Sequence, residues 1–400
     1  MHGNPPSAPD KPVRDQLLVF GAPRIDEVDI AELTAVLRSG WLGFGARTTE
    51  LEDRFRRYVG CGYAVATSSC SAALHLSLLS LGVGHGDEVI TTPLTYCATA
   101  HVVEHVGARP VFVDVEPHSR LIDPQQVQDA ITTRTRAILP VHLAGLPCDM
   151  EKMLELGRRH GLPLLEDAAH ALGALCAGGK IGTLGTATCF SFSVGKSLCT
   201  GEGGMLVTDD QDLATKARLL SREGVTTTSW ERFAVAAPGR YEVVAPGYKY
   251  AMTDLHASLA LRQFDALDSR RARRDEIWRR YEEEFADLPL RLPPTPRFGV
   301  VHARQLFSVL LDVDDLSMSR DEVAMALRAE NIGTGVHFVS LHLHPFYRDK
   351  YELTPGQFPN ATHISERTLS LPLSSHMTDQ DVGDVIQAMR KVLGQGRGSR

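Results

Sequence analysis

Between residues 60 and 222, short apolar runs alternate with amphipathic segments. YAVAT (63–67), DEVITT (87–92), PVFVDV (110–115), AILPVHL (137–143) and PLLED (163–167) are nearly continuous apolar runs, which predicts strands buried on both faces. Between them, AALHLSLLSLG (72–82), YCATAHVVEHVG (96–107), PQQVQDAIT (124–132) and MEKMLELGRRHG (150–161) carry helical spacing. This alternation specifies an α/β fold with a mostly parallel sheet between helices and ligands at the carboxyl ends of the strands. TCFSF (188–192) and GMLVTDD (204–210) extend the sheet.

After residue 222 the rhythm changes. The stretch 223–250 is rich in Thr, Gly, Pro and aromatics and predicts a long excursion with little core of its own. A helical tract follows over 252–287, where Arg270, Arg271, Arg273, Arg274, Arg279 and Arg280 interleave with acidic residues, predicting a solvated face. A strand at 304–312, a helix at 320–330, a strand at 333–338 and a helix at 378–394 predict a smaller C-terminal α/β domain. The expected organisation is a disordered N-terminus (1–16), a large domain (17–255) containing the excursion, a small domain (256–394) and a tail (395–400).

Composition narrows the function classes. The 400 residues are 43% apolar and 23% charged, and 42 basic against 49 acidic side chains leave a net charge of −7. That balance offers no general footprint for nucleic acid or anionic lipid. No stretch approaches the about 18 apolar residues of a membrane span, and MHGNPPSAPDKPVRDQ at the start lacks the apolar centre of a signal peptide. A soluble, cytoplasmic protein is expected. The cysteines (61, 70, 97, 148, 176, 189, 199) are odd in number and never in a CxxC pair, which predicts reduced buried thiols rather than zinc ligands or disulfides.

Three segments carry candidate chemistry. Asp167 ends the apolar run LPLLED, and a carboxylate at the mouth of a buried strand needs partners, although an N-cap role also suits it. Lys196 lies in CFSFSVGKSLCTGEGGML (189–206), flanked by Ser191, Ser193 and Thr200 and followed by a glycine-rich turn. A lysine there is either an inert surface group or, when desolvated, a nucleophile able to form Schiff bases. ATSSCSAALHL (66–76) is a small polar turn before a helix, whose first amides suit a phosphate, with Ser69 and Ser71 as possible added donors or plain caps. A phosphate cradle, a lysine and an acid to pair with a ring nitrogen are together what pyridoxal phosphate requires.

From about residue 18 to 394 the chain resembles the DegT/StrS family of fold type I, pyridoxal phosphate-dependent nucleotide-sugar aminotransferases. The resemblance rests on SGWL (39–42), SCSAALHLSL (69–78), GDEVITTPLTYCATA (86–100), GARPVFVDVE (107–116), PVHLAG (140–145), EDAAHALGA (166–174), FSFSVGKSLCTGEGGM (190–205), PGYKYAMTDLHASL (246–259) and VHFVSLHLHPFY (336–347). It implies Lys196 as the Schiff-base lysine and Asp167 as the carboxylate that keeps the pyridine nitrogen protonated. It further implies His170 near the phenolic oxygen, Tyr96 stacked on the ring, and Cys70, Ser71 and Ser191 at the phosphate. Lys249 corresponds to a position that reaches the phosphate from a neighbouring subunit, which implies a homodimer with a shared active site. Cys70 stands where many relatives carry Gly, Ser193 replaces a His, Tyr or Gln, and Lys249 replaces an Asn.

The family also contains dehydratases in which His replaces the lysine, so Lys196 implies transamination. Glutamate is the implied amino donor, yielding 2-oxoglutarate, in a ping-pong exchange in which Lys196 moves the proton. The TGEGGM run resembles that of 4-aminotransferases, implying an NDP-4-keto-6-deoxyhexose acceptor of the dTDP-4-keto-6-deoxyglucose type. A 3-keto nucleotide sugar, a cyclitol and a non-catalytic pyridoxal phosphate-binding regulator are the alternatives. Antibiotic-sugar and surface-polysaccharide pathways both use such enzymes. Trp41, Leu42 and His337 are candidate substrate contacts. His337, His342 and His344 lack an acidic or cysteine partner, which predicts a substrate-facing loop and no metal.

Overall fold

A computed structural model describes residues 11–23, 25–233 and 240–395. Its strands are β1 (Tyr63–Thr67), β2 (Glu88–Thr91), β3 (Arg109–Phe112), β4 (Thr135–Leu139), β5 (Leu165–Asp167), β6 (Leu175–Cys176), β7 (Gly179–Lys180), β8 (Ala187–Ser191), β9 (Gly204–Thr208), β10 (Leu290–Arg291), β11 (Phe307–Leu311) and β12 (Thr368–Leu371). The group β3-β2-β4 meets the group β5-β8-β9-β1 through parallel bridges Ile138–Leu164 and Val141–Asp167. The result is one sheet in the order β3-β2-β4-β5-β8-β9-β1, parallel except for β9. Successive strand residues face opposite ways. Accordingly Ile90, Phe190 and Met205 enter one core while Val89, Cys189 and Leu206 enter another on the opposite face. The first core is closed by helices such as Ala46–Val59 and Asp254–Phe264, and the second by Cys70–Ser80 and Gln211–Ser221.

A third core gathers Ile277, Trp278, Tyr281 and Phe285 with Phe307, Val309, Leu369 and residues of helix Asp379–Gln395, around the antiparallel sheet β10-β11-β12. From the residues expected in the small domain, Ala257, Ala260, Leu261 and Leu267, and later Leu310, Phe358, Ala361 and Ile364, pack into the first core. The expected helical tract over 252–287 consists of two helices, Asp254–Phe264 and Leu267–Glu284. Phe264 packs on Phe55 and Tyr58 of the large core whereas Trp278 and Tyr281 turn into the small one. Nor are its arginines a solvated face. Arg274 is buried against Ser197, Arg270 donates to Gln263, Arg271 to Gly173 O and Arg273 to Met377 O, leaving Arg279 and Arg280 outward.

Two further expectations change. Residues 333–338 form no strand, since Ile332 and Gly335 make isolated bridges to Leu18 and Ser370, and β12 supplies the third strand instead. Of the expected disordered N-terminus, residues 1–10 lie outside the described residues. The segment from 11 to 16 is anchored, with Arg14 bonded to Asp381 at 2.7 Å and Asp384 at 2.6 Å. Residues 396–400 of the expected tail, and 234–239 of the excursion, also lie outside the described residues. All seven cysteines are free thiols, and no described helix is long and apolar enough to cross a membrane.

Candidate active site

The carboxyl end of the sheet opens into a cavity of about 510 Å³. Asp167, the last residue of β5, reaches its floor. Its Oδ2 accepts from Thr99 Oγ1 at 2.8 Å and its Oδ1 from Ala169 N at 3.1 Å. Burial raises its pKa, opposed by those two hydrogen bonds and by the charges of Lys196 and His142. An N-cap role does not apply, because turns and no helix follow Asp167, and a buried carboxylate with two donors and a cation nearby is a built charge site.

Lys196 follows β8 on a tight turn, with its own N–H on Ser193 O at 3.1 Å. Burial lowers its pKa, opposed by Cys70 and Asp167, so its amine is biased toward the neutral, nucleophilic form. His170 accepts from Ala144 N on Nδ1 at 3.3 Å, which places its proton on Nε2. Its ring stacks on Phe338 (6.0 Å, 9°), and burial, then Lys196, hold it well below the ordinary histidine range.

The cradle begins at Ser69, whose hydroxyl caps the helix by accepting from Ala72 N at 3.0 Å. Ser69 is therefore spent locally, while the amides of Cys70 and Ser71 stand in the first turn, where no helical carbonyl can reach them. β9 lies hard against this turn: a Cβ on Gly204 would sit 2.5 Å from Cys70 N, so only glycine fits. Ser191 Oγ lies 3.1 Å from Ser193 Oγ, and both residues line the cavity. Tyr96 lines it too, 62% exposed and ready to cover a flat ligand. His337 completes the wall, bonded through Nδ1 to Ser370 Oγ at 2.9 Å, with its pKa lowered to about 4 by burial, then Lys196.

Cys70, Ser71, Tyr96, Asp167, His170, Ser191, Lys196 and His337 thus converge on one space. Trp41, Leu42 and Lys249 do not line the cavity of their own chain. Trp41 is tied to Phe44 O at 2.9 Å and rests on Trp230, Leu42 is exposed, and Lys249 pairs with Glu223 at 3.0 Å on the surface. His342 and His344 do not share a strand or face the cavity. They sit around the turn Leu341–Leu343, and His342 is buried against Thr362 and Phe358. Among the described residues no group of three or more His, Cys, Asp or Glu is placed to hold a metal.

Several participants escaped sequence reasoning. Thr99 is a buried hydroxyl amid Ala98, Ala100, Val102 and Val103, and a lone buried hydroxyl needs a partner. His142 and Glu166 form a wholly buried pair at 2.8 Å beside Asp167, and Gln305 reaches the cavity from the C-terminal segment.

These residues suit pyridoxal phosphate: an anion cradle, a desolvated lysine and a buried acid face one cavity wide enough for a flat ring. Comparison with known proteins agrees. The model of the DegT/DnrJ/EryC1/StrS aminotransferase family matches residues 23–390. The spore coat polysaccharide biosynthesis protein SpsC of Bacillus subtilis is 44% identical over 381 residues, spanning 95% of this chain and 98% of its own. Spr1654 from Streptococcus pneumoniae, a proposed sugar aminotransferase solved in its PLP form, superposes with a TM-score of 0.87 at 31% identity, covering 95% of this chain and 99% of that one. DesI, solved in the presence of its TDP-sugar product, gives 0.85 at 33% identity over 96% and 95%. The chain belongs to the DegT/DnrJ/EryC1/StrS aminotransferase family and is a fold type I aminotransferase with pyridoxal phosphate as its cofactor.

Proposed function

We propose that the protein transfers the amino group of glutamate to an NDP-4-keto-6-deoxyhexose, of the dTDP-4-keto-6-deoxyglucose type, giving the 4-amino-4,6-dideoxy sugar. The observation that carries this reading is the convergence of Lys196, Asp167, His170 and the Cys70–Ser71 amides on one cavity. The TGEGGM run and the likeness to DesI, which was solved with a TDP-sugar, support the acceptor.

When bound, pyridoxal phosphate supplies the electron sink and carries the amino group between donor and acceptor. Lys196 would hold it and, when free, would take the proton from the donor's Cα, a role favoured by the burial that lowers its pKa. Asp167, fixed by Thr99 and Ala169, keeps a proton on the ring nitrogen. His170 would present Nε2–H to the phenolic oxygen, Tyr96 would cover the ring, and Ser191 would join the Cys70 and Ser71 amides at the phosphate. His337, kept neutral at physiological pH, offers a hydrogen bond rather than a charge to the sugar.

Cofactor and substrate both bring phosphate, yet among the described residues lining the cavity there is no arginine and no lysine besides Lys196. A second copy of the chain meets that need: Lys249 reaches the neighbour's phosphate, and Trp41 and Leu42 its substrate, in a homodimer. We place the reaction in the cytoplasm, in biosynthesis of an antibiotic sugar or a surface polysaccharide. The test is spectral. Purified protein carries a visible absorbance band, lost on adding glutamate and absent from Lys196→Ala; a band indifferent to every amino donor removes the transaminase reading.

A further inference from the structure

The loop that carries Lys196 is gripped by two glutamines. Gln305 Nε2 donates to Gly195 O at 2.7 Å, while Oε1 accepts from Ser197 N at 3.1 Å and from Ser197 Oγ at 2.9 Å. One buried carboxamide therefore bonds the chain on both sides of Lys196, and Arg274 donates to the same Ser197 hydroxyl. Gln263 grips Cys199 in the same manner, with Oε1 accepting Cys199 N at 2.9 Å, Nε2 donating to Cys199 O, and Arg270 on Oε1 at 3.0 Å. The two differ in place. Gln305 borders the catalytic cavity, whereas Gln263 borders a small crevice behind the loop.

Gln305 is also tied to the opposite wall. Its backbone N–H donates to Ala144 O at 3.1 Å, and Ala144 N donates to His170 Nδ1 at 3.3 Å. Ala144 sits at φ 58°, in the left-handed region that a non-glycine residue occupies only when its surroundings hold it there. A continuous line of hydrogen bonds thus runs from the peptides around Lys196, through Gln305 and Ala144, to His170.

We propose that Gln305 is a positioning residue for Lys196, fixing both flanking peptides so that the amine keeps one setting relative to Asp167 and His170 while it is free. This rests on Lys196 being the cofactor's attachment point. The constraint matters most in the half of the cycle when the amine is displaced. The cofactor then no longer anchors it, and a four-rotor side chain must return to one proton-transfer geometry. Removing the clamp consequently slows the proton-moving step more than it weakens donor binding.

The test uses cofactor-loaded full-length protein carrying Gln305→Ala, Gln305→Glu or Gln263→Ala. It reads thermal midpoint, the pH midpoint of the visible band, and the stopped-flow rate with glutamate. Gln305→Ala is expected to lower the saturating rate ~10–100-fold without changing the half-saturating glutamate concentration. Gln305→Glu is expected to raise the pH midpoint by about one pH unit, because the new carboxylate favours protonation beside Lys196. Gln263→Ala lowers the thermal midpoint and moves neither. If both Gln305 variants lose only thermal stability, as Gln263→Ala does, the proposal is wrong; if Gln305→Ala does not fold, the Glu variant, which keeps the Ser197 acceptor, decides. Borohydride reduction and peptide mapping separate the two levels. A link at Lys196 with unaltered rates and pH midpoint overturns this inference alone, and a link elsewhere overturns the assignment of Lys196 with it.

Discussion

Thr99 donates a 2.8 Å hydrogen bond to Asp167 Oδ2, and both groups are buried. Thr95 Oγ1 lies 2.8 Å from Thr99 Oγ1, and since Thr99 gives its proton to the carboxylate, Thr95 is the donor in that second bond. A two-hydroxyl chain therefore favours the ionised acid, opposing the burial that raises its pKa. Thr99→Val keeps the shape and removes the bond. Hydrogen bonds to charged groups contribute about 1.5–3 kcal/mol, so kcat is expected to fall ~10–100-fold, with the acid limb of the pH–rate profile moving up. An unchanged profile would show that Thr99 only packs.

The neighbouring pair makes a stability prediction. His142 Nδ1 accepts from Cys148 N at 3.1 Å, so Nε2 carries the proton and donates to Glu166 Oε2 at 2.8 Å. Glu166 Oε1 meanwhile accepts from Gly185 N and Thr188 Oγ1, both at 2.8 Å. Glu166→Gln keeps two acceptances but turns an NH₂ toward the His142 N–H. Leaving a buried donor without its acceptor costs about 1–3 kcal/mol, and urea denaturation is expected to report a loss near that range.

Acid sensitivity has a second source. Burial, then Arg304 and Arg271, push His302 down to about 3, and burial, then Lys196, push His337 to about 4. For a base whose folded pKa is depressed, the unfolded chain binds more protons between that value and 6.5. Stability therefore falls as pH drops from 6.5 toward 4. His302 Nδ1 accepts from Arg304 N at 2.8 Å, an acceptor that Asn can supply. In His302→Asn the decline of thermal midpoint over that window is expected to be shallower than in the parent, and an equal decline removes His302 from the account.

The proposed sharing of the site between subunits predicts complementation. Lys196→Ala and Lys249→Ala are each expected to be inactive alone. After subunit exchange, a mixed dimer carries both substitutions in one site and neither in the other, so an equal mixture recovers about a quarter of parent activity. No recovery contradicts a contribution from Lys249 across the dimer.

What could be read in advance followed the range of the interaction. Strands β1, β2, β4, β8 and β9 were legible because burial on both faces writes itself as continuous apolar runs, and the site motifs lie at the ends of those strands. The strand expected at 333–338 does not form, because this stretch meets Ser370 only at Gly335 and the flanking Ile332 meets Leu18, pairings that local pattern does not encode. Arg274 looked like one of a charged helix face, yet it is buried against Ser197, 77 positions away. Gln305 lies outside every motif, and Thr99 sits within GDEVITTPLTYCATA with nothing there to mark its role: each matters through a partner that only the fold brings near. Trp41, Leu42 and Lys249 were read by resemblance and lie away from the cavity of their own chain, so their roles depend on the proposed homodimer.

The most direct measurement is to supply ¹⁵N-glutamate with 4-keto and, separately, 3-keto nucleotide sugars and locate the new amine by NMR. The account predicts ¹⁵N at C4 of the 4-keto-6-deoxyhexose, 2-oxoglutarate formed in equal amount, and no label with Lys196→Ala. Label at C3, or none in any nucleotide sugar, would contradict it.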